Sequence, residues 1–363
     1  MGAPETVTSR LSVSVIVPAR NEEACLGACL ESLAAQAGIG FEIIVVNDAS
    51  TDRTREIAQS FPQVRVVDAD APPPGWTGKN NAMAAGARAA LGEWLLFTDA
   101  DTFHFPGSLA RAVGEAGQQG AALLSYSPEQ EVHGFWERAV MPVIFAELAA
   151  TYRPSLVSDP RSPAAAANGQ YLLITRKAYD AIGGHTAVSG SLLEDVALAK
   201  MVKASGRKIF FRFGGDAVRT RMYRSFEQLR EGWTKNLALL FPSLVRLALL
   251  RLTEFLLIAG ALAAAVTATV RGHFKPAIAA AMLAASIYGF LLNRVRKAHF
   301  SWQSNALSSA GLPLFAYLLL RSRLSRRRGS VRWKGRTYES TTNHPGTDSV
   351  IIRQQRPAER SSV

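Results

Sequence analysis

The sequence contains very little cysteine and comparatively few acidic residues. Its 363 residues include two cysteines, Cys25 and Cys29, which lie four positions apart on a predicted helix. So sparse a pair excludes a disulfide framework and a zinc site, and we expect two small side chains buried on that helix. Lys and Arg number 41 against 29 Asp and Glu, which gives a formal net charge of +12. This excess favours anionic partners: nucleic acid, anionic lipid or phosphorylated substrates.

Long apolar runs are missing from the first two thirds of the chain, and the short, polar start predicts no secretory signal peptide. The last third is different. The runs 255–270 and 276–293 approach the roughly 20 residues that cross a bilayer, and 306–320 is shorter. Their all-round apolarity favours membrane insertion over a solvated helical bundle. Residues 237–253, which carry two arginines, are predicted to form an interfacial helix.

The residues that follow the last apolar run are strongly basic. Between Arg321 and Arg336 there are eight Lys or Arg and no acidic residue. Because this segment adjoins a membrane run, it favours anionic lipid headgroups over nucleic acid as its partner. The positive-inside rule places it in the cytoplasm.

The N-terminal part of the chain shows strands alternating with helices. Four short apolar runs read as buried strands: 13–17, 41–46, 64–67 and 94–97. This alternation predicts an α/β fold with a parallel sheet and right-handed crossovers. Polar clusters follow three of these strands, at 18–23, 47–52 and 98–101. Since ligands bind at the carboxyl ends of such strands, we expect one site there.

Asp99 and Asp101 form a D-x-D turn directly after a predicted strand. Two carboxylates on one turn can hold Mg²⁺ or Mn²⁺, which prefer oxygen ligands. The cation would then bridge diphosphate oxygens and offset the charge of a leaving group. Asp48 follows another strand and can bind a base or ribose hydroxyls, or it can serve as a helix N-cap.

The segment Gly75-Trp-Thr-Gly-Lys79 has the look of a phosphate loop but fails the P-loop pattern, because Pro73 stands where the first glycine belongs. Lys79 either contacts a diphosphate or is a solvated lysine at a helix start. Glu194 and Asp195 follow a glycine-rich loop that contains His185. A carboxylate there can deprotonate an acceptor hydroxyl, or it can simply stabilise the N-terminus of a helix.

These stretches together resemble glycosyltransferase family 2, which has the GT-A fold. The resemblance spans roughly 230 residues and is carried by four segments: Val-Ser-Val-Ile-Val-Pro-Ala-Arg-Asn-Glu-Glu (13–23), Glu-Ile-Ile-Val-Val-Asn-Asp-Ala-Ser-Thr-Asp-Arg-Thr (42–54), Asp-Ala-Asp (99–101) and Leu-Leu-Glu-Asp (192–195). Pro-Gly-Trp-Thr-Gly-Lys (74–79) and Trp-Lys-Gly-Arg-Thr-Tyr (333–338) are similar to a membrane-bound branch with hopanoid-associated and carotenoid-acid glycosyltransferases.

The resemblance implies a role for each matching residue. Pro18 and Glu22 would line the nucleotide pocket, and Asp48 would hold the base or ribose. Asp99 would contact the ribose or sugar and, with Asp101, the metal. Asp195 would be the catalytic base of a displacement that inverts the anomeric carbon.

One departure concerns the acceptor side. Processive and ceramide-type relatives carry an arginine directly before a tryptophan on the following helix, whereas this chain reads Gln228-Leu-Arg-Glu-Gly-Trp233. Polymer synthesis is therefore disfavoured. Trp233 is expected to stack on the acceptor, and Glu194 and His185 are expected to contact it.

We therefore expect a cytoplasmic GT-A domain over 1–235, then a membrane region over 236–322 with an interfacial helix and two to four membrane helices, and a basic, partly disordered cytoplasmic tail over 323–363. Cytosolic nucleotide-sugars require an even number of crossings, although three apolar runs are visible; one would be re-entrant, or one more would lie within 237–253.

The expected enzyme is a multi-pass inner-membrane glycosyltransferase that uses Mg²⁺ or Mn²⁺ and a UDP- or GDP-sugar to glycosylate an isoprenoid-like or glycolipid acceptor. It would contact anionic membrane lipids and no nucleic acid. The alternatives are a polyprenyl-phosphate or polysaccharide glycosyltransferase and an inactive nucleotide-binding membrane scaffold.

Overall fold

The structure, a computed structural model, describes residues 12–328 and, for the backbone alone, three strand segments beyond them. The strands are β1 Val13–Ala19, β2 Phe41–Asn47, β3 Val64–Asp68, β4 Trp94–Phe97, β5 Thr102–His104, β6 Leu123–Ser127, β7 Glu129–Gln130, β8 Leu172–Thr175, β9 Ile209–Phe213, β10 Val218–Thr220, β11 Ser330–Trp333, β12 Arg336–Thr341 and β13 Ile351–Gln354. Within the predicted tail 323–363, which contains the motif 333–338, the structure describes only the end of the last helix and the backbones of β11, β12 and β13.

The helices account for most of the remaining chain. They are α1 Leu26–Ala34, α2 Thr54–Gln59, α3 Gly78–Ala89, α4 Ser108–Gln119, α5 Phe135–Thr151, α6 Pro154–Ser158, α7 Arg176–Ala181, α8 Gly184–Ala187, α9 Glu194–Ala204, α10 Phe226–Leu240, α11 Leu244–Val270, α12 Phe274–Val295 and α13 Trp302–Arg327. A single 3₁₀ turn, Arg296–Ala298, follows α12.

The chain forms two compact units. The first combines the segment that ends at Glu129 with Pro154–Arg221, and the second combines Gln130–Arg153 with the segment that begins at Met222. The domain boundaries predicted at 235 and 322 remain a prediction.

A seven-stranded sheet in the order β3-β2-β1-β4-β8-β6-β9 forms the centre of the first unit. The three neighbours β3, β2 and β1 are parallel, and β4 continues this direction, which brings their carboxyl ends to one edge. Val13, Val15 and Ile16 are completely buried, as apolar strands covered on both faces require. The predicted α/β fold with a mostly parallel sheet, flanking helices and apolar C-terminal helices is confirmed.

One strand departs from the predicted parallel order. β8 is antiparallel to both β4 and β6. Leu172, its first residue, pairs with Phe97, the last residue of β4. The segment before β8 therefore arrives at the edge where β4 ends, and it brings Gly169 and Gln170 to the D-x-D turn.

In the second unit, α5 and α10 to α13 share an apolar core that includes Trp233, Leu291 and Phe315. α5 and α13 approach closely, so that a Cβ on Gly311 would overlap the carbonyl oxygen of Ala139. The helix α5 contributes Val140, Val143 and Ile144 to this core.

The helices α11 and α12 are joined by a short turn and form what we call the hairpin. Within the described residues, these two helices are long and apolar enough to cross a membrane, with segments of 27 and 25 residues that remain largely unburied in their own unit. The hairpin exposes a large apolar surface, including Leu256, Val266 and Phe290.

The helices of the described residues differ from the predicted membrane region in two details. The predicted interfacial helix 237–253 is divided: residues up to Leu240 end α10, Pro242 lies in the break, and the rest begins α11. Proline cannot continue the preceding helix, which explains the break. The third apolar run, 306–320, lies within α13, whose Leu312 and Phe315 are completely buried in the core of the second unit.

Candidate active site

The D-x-D turn lies between β4 and β5 at the carboxyl edge of the sheet, and buried hydrogen bonds hold it. The hydroxyl of Thr102 donates to the carbonyl oxygen of Asp99 at 2.7 Å, and the hydroxyl of Thr220 donates to that of Asp101 at 3.1 Å. His104 Nε2 lies 3.1 Å from the Thr102 hydroxyl, and burial lowers the pKa of His104 to about 3. A neutral imidazole therefore supports the turn from inside the core.

Lys79 connects this turn to the N-terminus of α9. Its Nζ lies 2.8 Å from Asp99 Oδ1 and 2.9 Å from Glu194 Oε1, and its side chain is 19% exposed. Burial lowers the pKa of Lys79, but the charges of Asp99 and Glu194 outweigh burial and hold that pKa well above its usual value. The ammonium therefore remains charged and shared between two carboxylates.

The backbone around Lys79 is fixed by the loop that precedes α9. The Thr77 side chain caps α3 by accepting from the Asn80 N–H at 3.1 Å. The Thr77 N–H donates to the Ser189 carbonyl at 2.9 Å, and the buried Asn80 amide donates to the Ser191 carbonyl at 3.0 Å. These bonds tie the start of α3 to the chain that carries Glu194.

Asp195 occupies the first turn of α9 beside Glu194. Its Oδ2 accepts the Gly169 N–H at 2.8 Å, and its Oδ1 accepts the Val196 N–H at 2.8 Å. Burial and the charge of Glu194 raise the pKa of Asp195 to about 6, although Lys79 and the two amides oppose this shift. A carboxylate with a pKa close to neutrality is suited to general-base catalysis.

Gly169 lies close to Lys79, Glu194 and Asp195. A Cβ on Gly169 would lie 3.4 Å from Glu194 Oε1, 3.4 Å from Lys79 Nζ and 3.5 Å from Asp195 Oδ2. We call Asp99, Glu194 and Asp195 the carboxylate cluster. Lys79 is its cation, and Gly169 leaves the space above it open.

A second group of polar residues follows β1 and β2. Asp48 is 5% exposed, and its carbonyl oxygen accepts from Arg20 Nη1 at 2.8 Å. Asn21 and Ala49 both have positive φ values, of 54° and 50°. Backbone strain in residues other than glycine concentrates at functional sites, where surrounding contacts maintain it.

Two more of the predicted nucleotide residues lie beside these loops. Pro18 pairs with Val46 in the β1–β2 ladder and is half-buried. The half-buried Glu22 donates its backbone N–H to the Thr54 hydroxyl at 2.7 Å. Pro18 therefore lies near the carboxyl end of β1 and Glu22 follows that strand, at the same edge as the D-x-D turn.

Two predicted acceptor residues are buried. His185 is 1% exposed, lies 2.9 Å from the Tyr179 hydroxyl through Nδ1, and packs edge-on against Phe97; burial, together with the charge of Lys79, lowers its pKa to about 3. Trp233, in the second unit, is 2% exposed and donates to Met141 Sδ at 3.4 Å. Both environments favour a packing role over acceptor contact.

Whether this site can hold a divalent cation depends on which side chains supply oxygen ligands. Among the described residues no three His, Cys, Asp or Glu side chains are grouped to hold a metal. Mg²⁺ and similar ions, however, are often held by one or two carboxylates with substrate phosphates completing the shell. Asp99 and Asp101 suit this arrangement, and Asp99 already accepts one cation, the Lys79 ammonium.

The sequence did not single out Arg20, Asn80 or Gly169. Arg20 lies within the 13–23 segment, but its pairing with Asp48 depends on the adjacency of two strand ends. The sequence signal for Asn80 is its position directly after Lys79, at the start of α3. Gly169 carries no signal of its own, since its importance follows from the antiparallel entry of β8.

Comparison with known proteins finds similarity to glycosyltransferases. The family model for glycosyl transferase family 2 matches residues 14–182. A 4,4'-diaponeurosporenoate glycosyltransferase from Staphylococcus aureus (strain USA300) is 30% identical over 230 residues, which cover 62% of this chain and 61% of the relative. The chain thus matches less than two thirds of the length of this curated relative.

Similar solved structures are more distant. A mannosyltransferase from Pyrobaculum calidifontis in complex with GDP-Man and Mn²⁺ is 18% identical, with 88% of each chain covered and a TM-score of 0.49. A glucosyl-3-phosphoglycerate synthase from Mycobacterium tuberculosis, in complex with Mn²⁺, UDP and phosphoglyceric acid, is 23% identical, with 61% of this chain and 74% of that chain covered and a TM-score of 0.42.

Proposed function

We propose that this chain, which contains a family 2 glycosyltransferase domain over residues 14–182, transfers a sugar from a nucleotide-sugar to a lipid acceptor at a membrane. The observation that carries the proposal is the carboxylate cluster at the carboxyl edge of the sheet, with Asp195 at a pKa of about 6 and Asp99 on the D-x-D turn. The nucleotide-binding scaffold reading would not require such a base.

The donor would bind along the carboxyl edge. Pro18, Glu22 and Asp48 would contact the nucleotide, because they lie at or just beyond the carboxyl ends of β1 and β2. Asp99 and Asp101 would hold Mg²⁺ or Mn²⁺, which supplies positive charge to the diphosphate as it leaves. UDP- and GDP-sugars both fit this chemistry.

Asp195 acts on the acceptor. Its carboxylate takes the proton of an acceptor hydroxyl while that oxygen forms a bond to the anomeric carbon of the sugar. The bond from that carbon to the diphosphate breaks on the opposite face, so the configuration inverts. The proton ends on Asp195, and its Gly169 and Val196 hydrogen bonds keep the carboxylate oriented throughout.

A lipid acceptor is supported by the hairpin, whose apolar helices supply membrane attachment. Two crossings return the chain to the side from which it entered, which meets the requirement for an even number. The catalytic unit and the basic segment after α13 would then both face the cytoplasm, where nucleotide-sugars and anionic headgroups are available. The enzyme would be a multi-pass inner-membrane protein.

Two classes of acceptor differ in whether they need a base: hydroxyl groups, and groups that are already ionised. The relative's name denotes a carboxylate acceptor, which is already ionised at neutral pH and needs no base. A hydroxyl needs one, and the raised pKa of Asp195 favours a hydroxyl. A polyprenyl phosphate is likewise already ionised at neutral pH and would need no base.

The test compares Asp195→Asn with the wild-type chain in detergent, with a hydroxyl lipid, a carotenoid carboxylate and a polyprenyl phosphate offered in turn. We expect the substitution to abolish transfer to the hydroxyl lipid while nucleotide binding persists. Transfer by Asp195→Asn at the wild-type rate would remove Asp195 from the base role. Absence of transfer by the wild-type chain to all three would favour the scaffold.

A further inference from the structure

Lys79 Nζ occupies one carboxylate oxygen of Asp99, the residue on which a divalent cation would bind. The ammonium lies 2.8 Å from Asp99 Oδ1, while Mg²⁺ binds carboxylate oxygens at about 2.0–2.1 Å. Two cations on one carboxylate, inside a cleft where the Lys79 side chain is 19% exposed, repel each other. The lysine position observed here therefore weakens metal binding at Asp99.

The lysine has room to exchange partners, because only its side chain must move. Its backbone is held at the capped start of α3, where Thr77 and Asn80 bind the loop before α9. Gly169 carries no side chain to obstruct the space above the ammonium. A flexible four-carbon stem with three donors suits a cation that changes partners.

We propose that Lys79 is an exchangeable counter-ion: it neutralises Asp99 and Glu194 while the donor site is empty, and it transfers to the donor diphosphate when the metal and nucleotide-sugar bind. This inference rests on the proposed function. It makes Lys79 both a competitor of the metal in the donor-free protein and a ligand of the diphosphate in the loaded one.

Removal of the Lys79 charge should therefore raise the affinity for Mn²⁺ and lower the affinity for nucleotide. Lys79→Met frees Asp99 for Mn²⁺ and leaves the carboxylate cluster more negative, so Mn²⁺ should bind the nucleotide-free protein about tenfold more tightly or better. The same substitution removes a diphosphate ligand, so UDP or GDP in saturating Mn²⁺ should bind about tenfold more weakly. A purely structural lysine would weaken both.

The experiment measures Mn²⁺ binding to the detergent-solubilised full chain by electron paramagnetic resonance, without nucleotide, and then UDP and GDP binding by calorimetry in saturating Mn²⁺. The variants are Lys79→Met, Lys79→Arg, and Lys200→Met as a matched control. Lys200 is exposed on α9, the helix that carries Glu194. Lys79→Arg keeps the charge and should leave Mn²⁺ affinity close to that of the wild type, as should the control.

Unchanged or weaker Mn²⁺ binding by Lys79→Met would overturn the inference. If that variant unfolds, Lys79→Gln makes the same comparison. If instead the proposed function is wrong, the wild-type chain and Asp101→Ala should bind Mn²⁺ and nucleotide with equal affinity. Loss of binding in Asp101→Ala together with no gain in Lys79→Met would leave the enzyme intact and reject only the exchange.

Discussion

The backbone N–H of Gly169 donates to Asp195 Oδ2 at 2.8 Å, and this bond joins the segment before β8 to the first turn of α9. The contact orients a carboxylate whose pKa burial has raised to about 6. Orientation by an amide and a pKa near neutrality are the two properties that a general base needs.

The first prediction concerns pH. Asp195 acts as a base only when it is ionised, so transfer should rise with pH through about 6 and fall about tenfold for each pH unit below that value. The pH profile of kcat for a hydroxyl-lipid acceptor measures this. Asp195→Asn should reduce kcat by at least about 100-fold and remove this limb of the profile. A wild-type profile that is flat across this range would contradict the assignment.

The second prediction concerns Gly169→Ala. The added methyl would be in van der Waals contact with Lys79 Nζ and Asp195 Oδ2, at 3.4 and 3.5 Å, so the fold should persist. The methyl removes water from the carboxylate and should raise the pKa of Asp195 further. The midpoint of the kcat profile should therefore move to higher pH, with a lower rate at neutrality.

A matched control is Gly114→Ala on α4, where a Cβ would meet no atom within 4 Å. It should leave the pH profile unchanged. A Gly169→Ala profile identical to that of Gly114→Ala would show that Gly169 has no influence on the base.

The third prediction concerns a buried charge network in the second unit, formed by Glu147, Arg251, Glu254 and Arg294. Arg251 Nη1 lies 2.5 Å and Arg294 Nη2 lies 2.8 Å from Glu254 Oε2, and the Nε atoms of both arginines lie 3.6 and 3.5 Å from Glu147 Oε1. Two positive and two negative charges thus balance where α5 meets the hairpin.

Arg251→Met should therefore lower the thermal midpoint of the solubilised chain. Its side chain is 9% exposed, and removal of one partner from a buried ion pair costs about 3 kcal/mol or more. Arg246→Met, on the exposed face of the same helix, is the control and should have little effect. Equal midpoints for the two variants would show that the network does not stabilise the unit.

Much of the first unit could be predicted from sequence. The β-branched runs at 13–17 and 41–46 became β1 and β2 with similar bounds, because buried parallel strands need such residues on both faces. The polar turns after them and after β4 fell on one edge, because parallel strands end together. The sequence therefore predicts Asp48 and Asp99 at one edge of the sheet, as the structure shows.

The remainder depended on contacts between distant segments. No local pattern reveals that Lys79 faces both Asp99 and Glu194, or that β8 runs antiparallel to β4. His185 sits in a glycine-rich segment that reads as a loop, yet it is buried against Phe97. The composition of 306–320 predicts a short membrane segment. The burial of Phe315 in the core of the second unit depends on contacts with distant segments, which composition does not reveal.

The most direct test of the central claim is nucleotide release from UDP- and GDP-sugars by the detergent-solubilised chain with a lipid extract present, with and without Mn²⁺. We predict Mn²⁺-dependent release of one nucleotide by the wild-type chain and a loss of at least about 100-fold in Asp101→Ala, since the cation stabilises the leaving diphosphate. Release that is independent of Mn²⁺ and equal in Asp101→Ala would contradict the metal-dependent glycosyltransferase proposed for this chain.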